Sequence, residues 1–369
     1  MPNTAATNCE TPKTGFRILV INPGSTSTKV AVYIDDQPLK VSTIRHTPEE
    51  LKQYEQVVDQ QAFRKQLVLD WLCENDIDFR FDAVIGRGGL AKPIPGGVYR
   101  VNQKMCYDTY NAMRKHACNL GCIIAYELAA MQEQSCDAYI ADPGVVDELL
   151  PEARVSGSPL MPRVCIWHAL NQRAIARRYA KSIGKQYEDL NLIICHLGGG
   201  ISIAAHEKGR AVDANNALDG EGPFSPERAG SLPAADLIHL CFSGKYTEEQ
   251  LKRRIAGKAG LVAHLGTTDI PAIIKKVEDG DEQCKLVIDA MIYHTAKNIA
   301  SEGAVLKGNV DAILLTGGIA YSDYVTSRIR ERVEFIAPVH IFPGEDEMKA
   351  LALNALASLR GEREAKEYE

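Results

Sequence analysis

The sequence predicts an α/β fold, and two observations predict it. Along the 369 residues, short apolar runs that end at turns of small residues alternate with segments whose apolar residues recur at helical spacing. The succession of apolar strand, glycine-rich turn and apolar strand also occurs twice, about 175 residues apart, which is a weak internal repeat. At about 150 residues per domain, a chain of this length indicates two domains.

The first predicted elements are two strands joined as a hairpin. The apolar run Phe16–Ile21 ends at the turn residues Asn22–Ser25, and Lys29–Ile34 resumes an extended pattern. The segment Thr47–Asn75 then carries apolar residues at helical spacing behind a Pro and a Glu, which predicts a helix.

Two strands and a helix follow in the first half. The predicted strands are Phe81–Ile85 and Ala138–Ala141, and the segment Asn111–Gln134 between them is predicted to be helical. The stretch Pro151–Pro162, which is rich in Pro, Gly and Ser, marks a candidate domain junction.

The second half begins as the first does. Strands are predicted over Leu190–Cys195 and Ile201–Ala205, with a glycine-rich turn between them. Helices are predicted to predominate over Pro233–Ser301, and a third strand over Asp311–Leu315 leads through a Thr-Gly-Gly turn into another helix. The Ala- and Leu-rich tail Glu345–Arg360 is predicted to be helical.

Composition excludes several classes of protein. The 42 basic and 48 acidic side chains leave a formal net charge of −6, whereas a nucleic-acid-binding body needs a basic surplus. A small anionic ligand in a local basic pocket is still compatible with this charge. No segment has the roughly 18 apolar residues of a membrane span. The polar segment Met1–Gly15 lacks the order of a signal peptide, so we expect a loose leader on a cytoplasmic protein.

The ten cysteines show no CxxC spacing. Several of them, such as Cys165 and Cys195, lie in apolar runs. We therefore expect buried free thiols and neither disulfides nor a zinc site.

Three turns of small residues follow predicted strands, and each carries groups that bind anions. The first places Asn22, Ser25, Ser27 and Lys29 where hydroxyls, an amide and an ammonium can meet phosphate oxygens or a hydrated metal ion. The second is the glycine run 198–200, and the third is Gly317 and Gly318 before a helix. Each alone is also typical of an ordinary tight turn. The sequence contains no P-loop, no GxGxxG after a strand, no GxSxG elbow and no protein-kinase signature set.

Taken in order, these turns resemble those of the actin-like ATPase superfamily. Five segments sharpen the resemblance to the acetate and butyrate kinase family: Ile21–Lys29 (INPGSTSTK), Cys195–Ile203 (CHLGGGISI), Glu227–Ser231 (ERAGS), Leu315–Tyr321 (LTGGIAY) and Pro343–Met348 (PGEDEM). The matches run in the family's order over roughly residues 16–360. The stretch 84–98 (VIGRGGLAKPIPGGV) is similar to the butyrate kinase branch, whereas acetate kinases carry a His-rich version there.

The resemblance implies two related actin-like, ribonuclease H-like domains with a nucleotide cleft between them. In this division, residues 1–15 are a leader and residues 156–344 form the C-terminal domain. Residues 16–155 form the N-terminal domain, which a C-terminal helix over 345–362 completes.

The resemblance also implies an activity. It is the reversible, Mg²⁺-dependent transfer of a phosphoryl group from ATP to butyrate, which gives ADP and butyryl phosphate, in a homo-oligomer of two or more subunits. Two alternatives stay open: a sibling kinase of acetate, propionate or isobutyrate, and a non-catalytic actin-like nucleotide-binding protein. A short carboxylate is already ionised at neutral pH, so the barrier is mainly electrostatic and favours arginines and a metal ion.

The family pattern implies roles for individual residues. Arg87 and Arg228 match its two active-site arginines, and His168 matches the histidine that hydrogen-bonds the transferring group. His116 lies where a second family histidine falls, and Asp142 matches the aspartate associated with Mg²⁺. A non-catalytic protein of this fold has no need of such a cationic set.

The pattern further implies nucleotide and metal contacts. The nucleotide-binding residues it implies are Asn22, Ser25, Ser27, Lys29, His196, Gly198, Gly199, Gly200, Gly317, Gly318 and Ile319. The metal-binding residues it implies are Asn22, Asp142 and Asp346, with Glu345 and Glu347 as competing choices for the last position. The segment Leu265–Asp269 departs from the family pattern, because it lacks the arginine found there.

Overall fold

The computed structural model describes residues 15–369, so the predicted leader lies almost wholly outside the described residues. The strands are β1 (Arg17–Pro23), β2 (Ser27–Ile34), β3 (Gln37–Arg45), β4 (Ala83–Arg87), β5 (Val98–Arg100), β6 (Asp137–Ala141), β7 (Asn191–Leu197), β8 (Ile201–Glu207), β9 (Arg210–Ala214), β10 (Ala312–Gly317) and β11 (Val339–Pro343). The helices are α1 (Pro48–Leu51), α2 (Gln61–Glu74), α3 (Gln103–Tyr110), α4 (Asn119–Ala130), α5 (Ala169–Ser182), α6 (Ala234–Cys241), α7 (Glu248–Ile255), α8 (Leu261–Leu265), α9 (Ile270–Glu278), α10 (Glu282–Val305), α11 (Asp323–Val333) and α12 (Glu347–Leu359). This content confirms the α/β class.

The chain forms two compact units. The first unit contains the described residues up to Lys92, Gly97–Ala141 and Met348–Glu369, and the second contains Pro93–Gly96 and Asp142–Glu347. The chain passes from the first unit to the second after Ala141, which is earlier than the domain boundary at residue 155 that the sequence resemblance implies. The intervening segment belongs to the second unit because Val146 and Leu149 pack with Trp167 and other buried residues of that unit.

Each unit contains one sheet, and the five strands of the second sheet have the same connectivity as five of the six strands of the first, with β5 as the additional edge strand. In the first unit the order is β3-β2-β1-β4-β6-β5. Strands β1, β2 and β3 pair antiparallel, and β4 and β6 are parallel to β1. In the second unit the order is β11-β10-β7-β8-β9, with β7, β8 and β9 antiparallel and β10 and β11 parallel to β7. The internal repeat predicted from the sequence is therefore a repeat of topology.

Burial of apolar surface on both faces of the second sheet forms the core of that unit. Strand β7 is buried along its whole length. Its residues Ile193 and Cys195 pack with Met291 of α10 on one face, and Ile194 packs with Ala176 of α5 on the other. The nine cysteines within the described residues are free thiols; Cys165 and Cys195 are among the five that are buried, as predicted, whereas Cys73 and Cys241 are exposed. Among the described residues, no helix is long and apolar enough to cross a membrane.

Two helix predictions are wrong in extent. The segment predicted as one helix over 47–75 contains the short α1, a 3₁₀ turn at Val57–Gln60 and α2. It is interrupted because the Asp59 carboxylate accepts the Gln56 main-chain N–H at 2.9 Å and starts a new helical turn. The segment predicted as helical over 111–134 becomes regular helix only at Asn119. The strands β3, β5, β9 and β11 were not predicted.

Candidate active site

The turn between β1 and β2 presents the polar residues that the sequence indicated. Asn22 is only 4% exposed and pairs across the hairpin with Lys29, whose side chain is exposed. The Gly24 N–H donates to the Ser27 carbonyl at 2.7 Å, which closes the turn. Ser25 is exposed and Ser27 is half-buried, so the turn offers hydroxyls at the surface of the unit.

A fully buried arginine, Arg64 of α2, holds this turn from the interior. Its Nη1 donates to the carbonyl oxygens of Gly24 at 2.8 Å and Ser27 at 3.0 Å. The same nitrogen donates to the Thr28 hydroxyl at 3.1 Å, and Gln60 Oε1 accepts from Nη2 at 2.8 Å. Burial lowers the pKa of Arg64 to about 10, so the guanidinium is still charged at neutral pH. The carbonyls of the turn therefore face a cation inside the unit.

Arg87 is the last residue of β4 and lies where α4 approaches the strand closely. A Cβ on Gly86 would collide with the Gly121 carbonyl, and a Cβ on Gly121 would collide with the Arg87 carbonyl. Two residues without side chains thus allow α4 to lie against the end of β4. The half-buried Arg87 is carried on this rigid strand end.

His116 lies in the loop before α4. Its Nδ1 accepts the Cys118 main-chain N–H at 3.2 Å and lies 3.0 Å from the Cys118 Sγ. The Asn119 Oδ1 accepts the Leu90 N–H at 2.8 Å. The loop that carries His116 is therefore tied to the segment that follows Arg87.

The second unit places the glycine turn between β7 and β8 against the loop 225–228. The turn closes on itself, since the Gly198 N–H donates to the Gly200 carbonyl at 3.1 Å. The Gly199 carbonyl accepts from the Ser225 hydroxyl at 2.7 Å and from the Glu227 N–H at 3.2 Å. These bonds fix the loop on the turn.

Arg228 lies directly on this turn. A Cβ on Gly200 would collide with the Arg228 guanidinium, so only glycine leaves room for it. The Arg228 Nη1 donates to the Ala217 carbonyl at 2.6 Å. Burial lowers the pKa of Arg228 from its usual value, with Glu227 and Asp219 opposing the shift. The guanidinium is thus held in a partly desolvated position, where its interaction with an anion is strengthened.

Two histidine rings stack beside the same turn. The His168 and His196 rings lie 3.8 Å apart and 10° from parallel. The His196 Nδ1 lies 2.8 Å from Asn171 Oδ1, and its Nε2 lies 3.0 Å from Glu345 Oε1. A Cβ on Gly198 would come within 2.9 Å of the His196 Nε2. The second unit therefore brings together the predicted residues His168, His196, Gly198, Gly199, Gly200 and Arg228.

Asp142 follows β6 and is paired with two arginines. Its Oδ1 lies 3.0 Å from Arg173 Nε, and its Oδ2 lies 3.5 Å from Arg177 Nη1. Arg173 also pairs with Glu148 at 3.0 Å. Asp142 has a φ of +39°, a sparsely populated conformation for a residue with a side chain. Such strain persists where the surroundings fix the backbone, as this buried ion cluster does.

The third turn follows β10 and is hydrogen-bonded to the segment that follows β11. Gly317 has a φ of +92°, and a Cβ there would collide with the Leu197 carbonyl. Gly317 and Gly344 exchange main-chain hydrogen bonds at 3.2 and 2.9 Å. Gly318 begins a 3₁₀ turn that buries Ile319, and α11 follows with Ser322 as its N-cap.

The acidic motif at 345–347 places its three carboxylates differently. Glu345 contacts His196, as described above. Asp346 is exposed, and Glu347 is buried at the start of α12. The structure thus assigns Glu345 to the histidine stack, and metal binding by Asp346 stays a prediction.

Sequence reasoning missed four side chains that position this site: Arg64, Asn171, Gln172 and Arg173. The last three follow His168 after Ala169 and Leu170, and all three are buried within the first two turns of α5. A run of three polar residues after a candidate histidine was the available signal. Arg64 offered none, because an arginine in a helix usually faces water.

The donor set is compatible with a Mg²⁺ ion that enters with the nucleotide. Among residues 15–369 no group of three or more His, Cys, Asp or Glu side chains is placed to hold a metal ion. Mg²⁺ characteristically keeps several waters and takes one or two carboxylates plus substrate phosphates. In the first unit the Asn22 amide offers an oxygen of the kind that such an ion takes. In the second unit the exposed Asp346 offers a carboxylate, and the Asp142 carboxylate, paired with Arg173 and Arg177, fits a contact through water.

Comparison with known proteins places this arrangement in a family. The model of the acetokinase family matches residues 163–340. A probable butyrate kinase from Bacteroides thetaiotaomicron is 66% identical over 347 residues, which are 94% of this chain and 98% of that protein. Butyrate kinase 1 from Clostridium acetobutylicum is 53% identical over 355 residues, which are 96% of this chain and 99% of that protein.

Solved structures share the fold. Acetate kinase from Porphyromonas gingivalis aligns with a TM-score of 0.75 at 17% identity, over 93% of this chain and 99% of that one. A propionate kinase from Francisella tularensis aligns with a TM-score of 0.74 at 16% identity, over 92% of this chain and 98% of that one. These likenesses confirm the predicted actin-like architecture.

Proposed function

The chain belongs to the acetokinase family, and on that premise we propose that it transfers a phosphoryl group reversibly between ATP and butyrate. A carboxylate oxygen of butyrate attacks the γ-phosphorus, the bond from that phosphorus to the β–γ bridging oxygen breaks, and the electron pair leaves with ADP. The products are ADP and butyryl phosphate, and no proton needs to be moved. Relatives named butyrate kinase at 53–66% identity over nearly the whole chain support the choice of substrate.

The observation that carries the proposal is the cationic and hydrogen-bonding set around the glycine turn of the second unit. Arg228 lies on Gly200, and His168 stacks on His196 next to Gly198. Charge spreads over the three equatorial oxygens of the phosphoryl group during transfer. We assign Arg228 and His168 to those oxygens, because preorganised donors stabilise charge that develops in the transition state.

Arg87 of the first unit is assigned to the carboxylate of butyrate. A guanidinium can hold a carboxylate through two parallel hydrogen bonds and orient one oxygen for attack. The assignment of His116 to the same reaction rests on the family pattern alone.

The nucleotide is assigned to the three turns. The β7–β8 turn offers main-chain N–H donors, together with the side chain of His196. The 3₁₀ turn at Gly318 and Ile319 lets the nucleotide approach the backbone closely. Ser25, Ser27 and Lys29 of the β1–β2 turn are assigned to phosphate oxygens. When bound, Mg²⁺ neutralises phosphate charge, and Asn22, Asp142 and Asp346 are the residues that would hold it.

Three finer properties complete the proposal. The family resemblance supports a homo-oligomer of two or more subunits and a location in the cytoplasm. The residues around Arg87, which follow the butyrate kinase branch, support butyrate over acetate as the acceptor.

The test is formation of acyl phosphate, trapped as the hydroxamate, with ATP, Mg²⁺ and unbranched carboxylates from acetate to hexanoate, together with isobutyrate. We expect the highest kcat/KM with butyrate and none without Mg²⁺. Absence of product with every acid would overturn the kinase assignment. A higher kcat/KM with acetate or isobutyrate would overturn only the choice of butyrate.

A further inference from the structure

A chain of buried polar side chains extends from His168 into the second unit, and the proposed chemistry does not account for it. Its members are Ser202 of β8, Gln172 of α5, His206 of β8 and Tyr187 of the 3₁₀ turn at 187–189. Ser202, Gln172 and His206 have no exposed surface, and Tyr187 is only 2% exposed. Buried hydrogen-bonded chains of this kind fix which atom carries each proton.

A main-chain carbonyl fixes the orientation of the Gln172 amide, and with it the direction of the hydrogen bond to His206. The Ser202 carbonyl can only accept, and it lies 3.1 Å from one end of the Gln172 amide. That end must therefore be the NH₂ group, since a carbonyl facing a carbonyl makes no hydrogen bond. The Gln172 Oε1 then faces the His206 Nε2 at 3.0 Å, so the His206 Nε2 carries a hydrogen and donates.

The second fixed point is a main-chain N–H. The His168 N–H can only donate, and Ser202 Oγ accepts from it at 3.2 Å. The Gln172 Nε2 donates to the same oxygen at 2.9 Å. A hydroxyl oxygen has two lone pairs, and both are then in use. The Ser202 hydrogen can only point to the His168 Nδ1, which lies 2.8 Å from Oγ and must accept.

The Tyr187 end of this series of hydrogen bonds fixes the same direction of donation. The Tyr187 hydroxyl lies 2.6 Å from the His206 Nδ1, and burial raises the pKa of Tyr187, so the hydroxyl keeps its hydrogen and donates. Burial, assisted by the charges of Arg173 and Arg177, lowers the pKa of His206 to about 3. His206 is therefore neutral, with one donor and one acceptor nitrogen, in agreement with the direction deduced from the carbonyl end.

We propose that Ser202, oriented by Gln172, is a positioning residue that holds His168 as the neutral tautomer with its hydrogen on Nε2. His168 then acts as a hydrogen-bond donor to the transferring phosphoryl group, and its Nδ1 takes no part in moving protons. The other tautomer would turn a lone pair toward anionic oxygens. This role rests on the proposed phosphoryl transfer, whereas the tautomer itself is a property of the free protein.

The first experiment measures the tautomer without any activity. The full-length protein is labelled with ¹⁵N-histidine, and the His168 signals among those of the nine histidines are assigned by comparison with His168→Gln. We expect Nδ1 to resonate as a non-protonated nitrogen and Nε2 as a protonated one at neutral pH. The reverse pattern, or a protonated Nδ1, would overturn the proposal even if the enzyme phosphorylates butyrate.

The second experiment is a double-mutant cycle between Ser202→Ala and His168→Gln. In the natural background we expect Ser202→Ala to lower kcat roughly tenfold, about the effect of one misoriented charge-assisted hydrogen bond, with KM values within about twofold. Glutamine offers an amide donor that does not depend on the serine. In the His168→Gln background, Ser202→Ala should therefore change kcat less than about twofold, as expected for residues that act as a unit.

A matched control separates this effect from loss of a buried hydroxyl in general. Thr295 of α10 is 1% exposed and donates to the Met291 carbonyl of its own helix at 2.8 Å. Thr295→Val should leave kcat and the His168 spectrum unchanged. Equal losses of kcat for Ser202→Ala in both backgrounds, or a loss equal to that of Thr295→Val, would show a purely structural role and overturn the proposal.

Discussion

Replacement of Arg64 by Met should impair the use of ATP while the protein stays folded. Arg64 has no exposed surface, and its guanidinium donates to the carbonyls of Gly24 and Ser27 in the β1–β2 turn. Without it, those carbonyls lose the charged donor that holds them inward, so we expect the turn to rotate its N–H groups and hydroxyls away from the proposed phosphate position. The arginine acts through the turn and needs no contact with the nucleotide.

The expected loss of stability is limited because two contributions of similar size oppose each other. Two hydrogen bonds from a charged donor to carbonyls contribute about 1.5–3 kcal/mol each. The lowering of the Arg64 pKa from 12.5 to about 10 corresponds to a burial cost of about 3 kcal/mol, at about 1.4 kcal/mol per tenfold. From these two bonds and this burial cost, the free energy of unfolding of Arg64→Met should fall by up to about 3 kcal/mol.

The assay combines urea unfolding with steady-state kinetics for ATP and butyrate. We expect kcat/KM for ATP to fall at least about tenfold in Arg64→Met and by a smaller factor in Arg64→Lys, which keeps the charge but loses the planar fork. Arg17→Met is the matched control, because Arg17 lies in the same unit and donates to the Asp78 carbonyl at 3.0 Å. Equal losses in Arg64→Met and Arg17→Met, or an unchanged kcat/KM in Arg64→Met, would refute the reasoning.

Three further predictions concern the second unit. Arg228→Ala should lower kcat for butyryl phosphate formation by about 100-fold or more, the loss typical of a transition-state donor, with an unchanged circular dichroism spectrum; near-normal turnover would remove it from the site. Asp142→Asn leaves the buried Arg173 with a weakened partner and should lower the free energy of unfolding in urea by about 3 kcal/mol; a change under about 1 kcal/mol would contradict this. Burial raises the pKa of Glu302 from 4.5 to about 8, so between these values the folded chain holds a proton that the unfolded chain has lost, and stability falls as pH rises. Glu302→Gln should therefore raise Tm relative to the natural chain at pH 9 and leave it unchanged at pH 4; the same difference at both pH values would contradict the assignment.

The strands and turns of this protein could be predicted because they follow directly from local pattern. Continuous apolar runs such as β7, followed by glycines, indicate buried strands that end at turns, and the structure has them within a few residues. The breaks in the helices could not be predicted in the same way. Asn119, the first residue of α4, bonds the Leu90 N–H and the Arg114 carbonyl through its side chain, and Leu90 lies 29 residues away, outside any local window of helical spacing.

The residues of the candidate site also fall into two groups, those that local sequence patterns predict and those that they do not. Residues that we propose to face a ligand, such as Gly200 and Arg228, belong to short motifs that the sequence shows. Residues that orient them from inside, such as Arg64 and Gln172, are polar side chains at helical positions, where polarity ordinarily indicates water. Only the fold reveals that these positions are buried.

In both units, hydrogen-bond donors face the carbonyls of the glycine or serine turn and hold it in place. In the first unit the carbonyls of the turn face Arg64, and in the second the Gly199 carbonyl faces the Ser225 hydroxyl and the Glu227 N–H. A tight turn has at least as many carbonyls as N–H groups, so its donors can face an anion only if the carbonyls find partners elsewhere. The interior partners differ because they arise on different elements, α2 in one unit and the loop 225–228 in the other. Variants of the interior partners should therefore weaken phosphate binding without touching phosphate, which is the effect that Arg64→Met isolates.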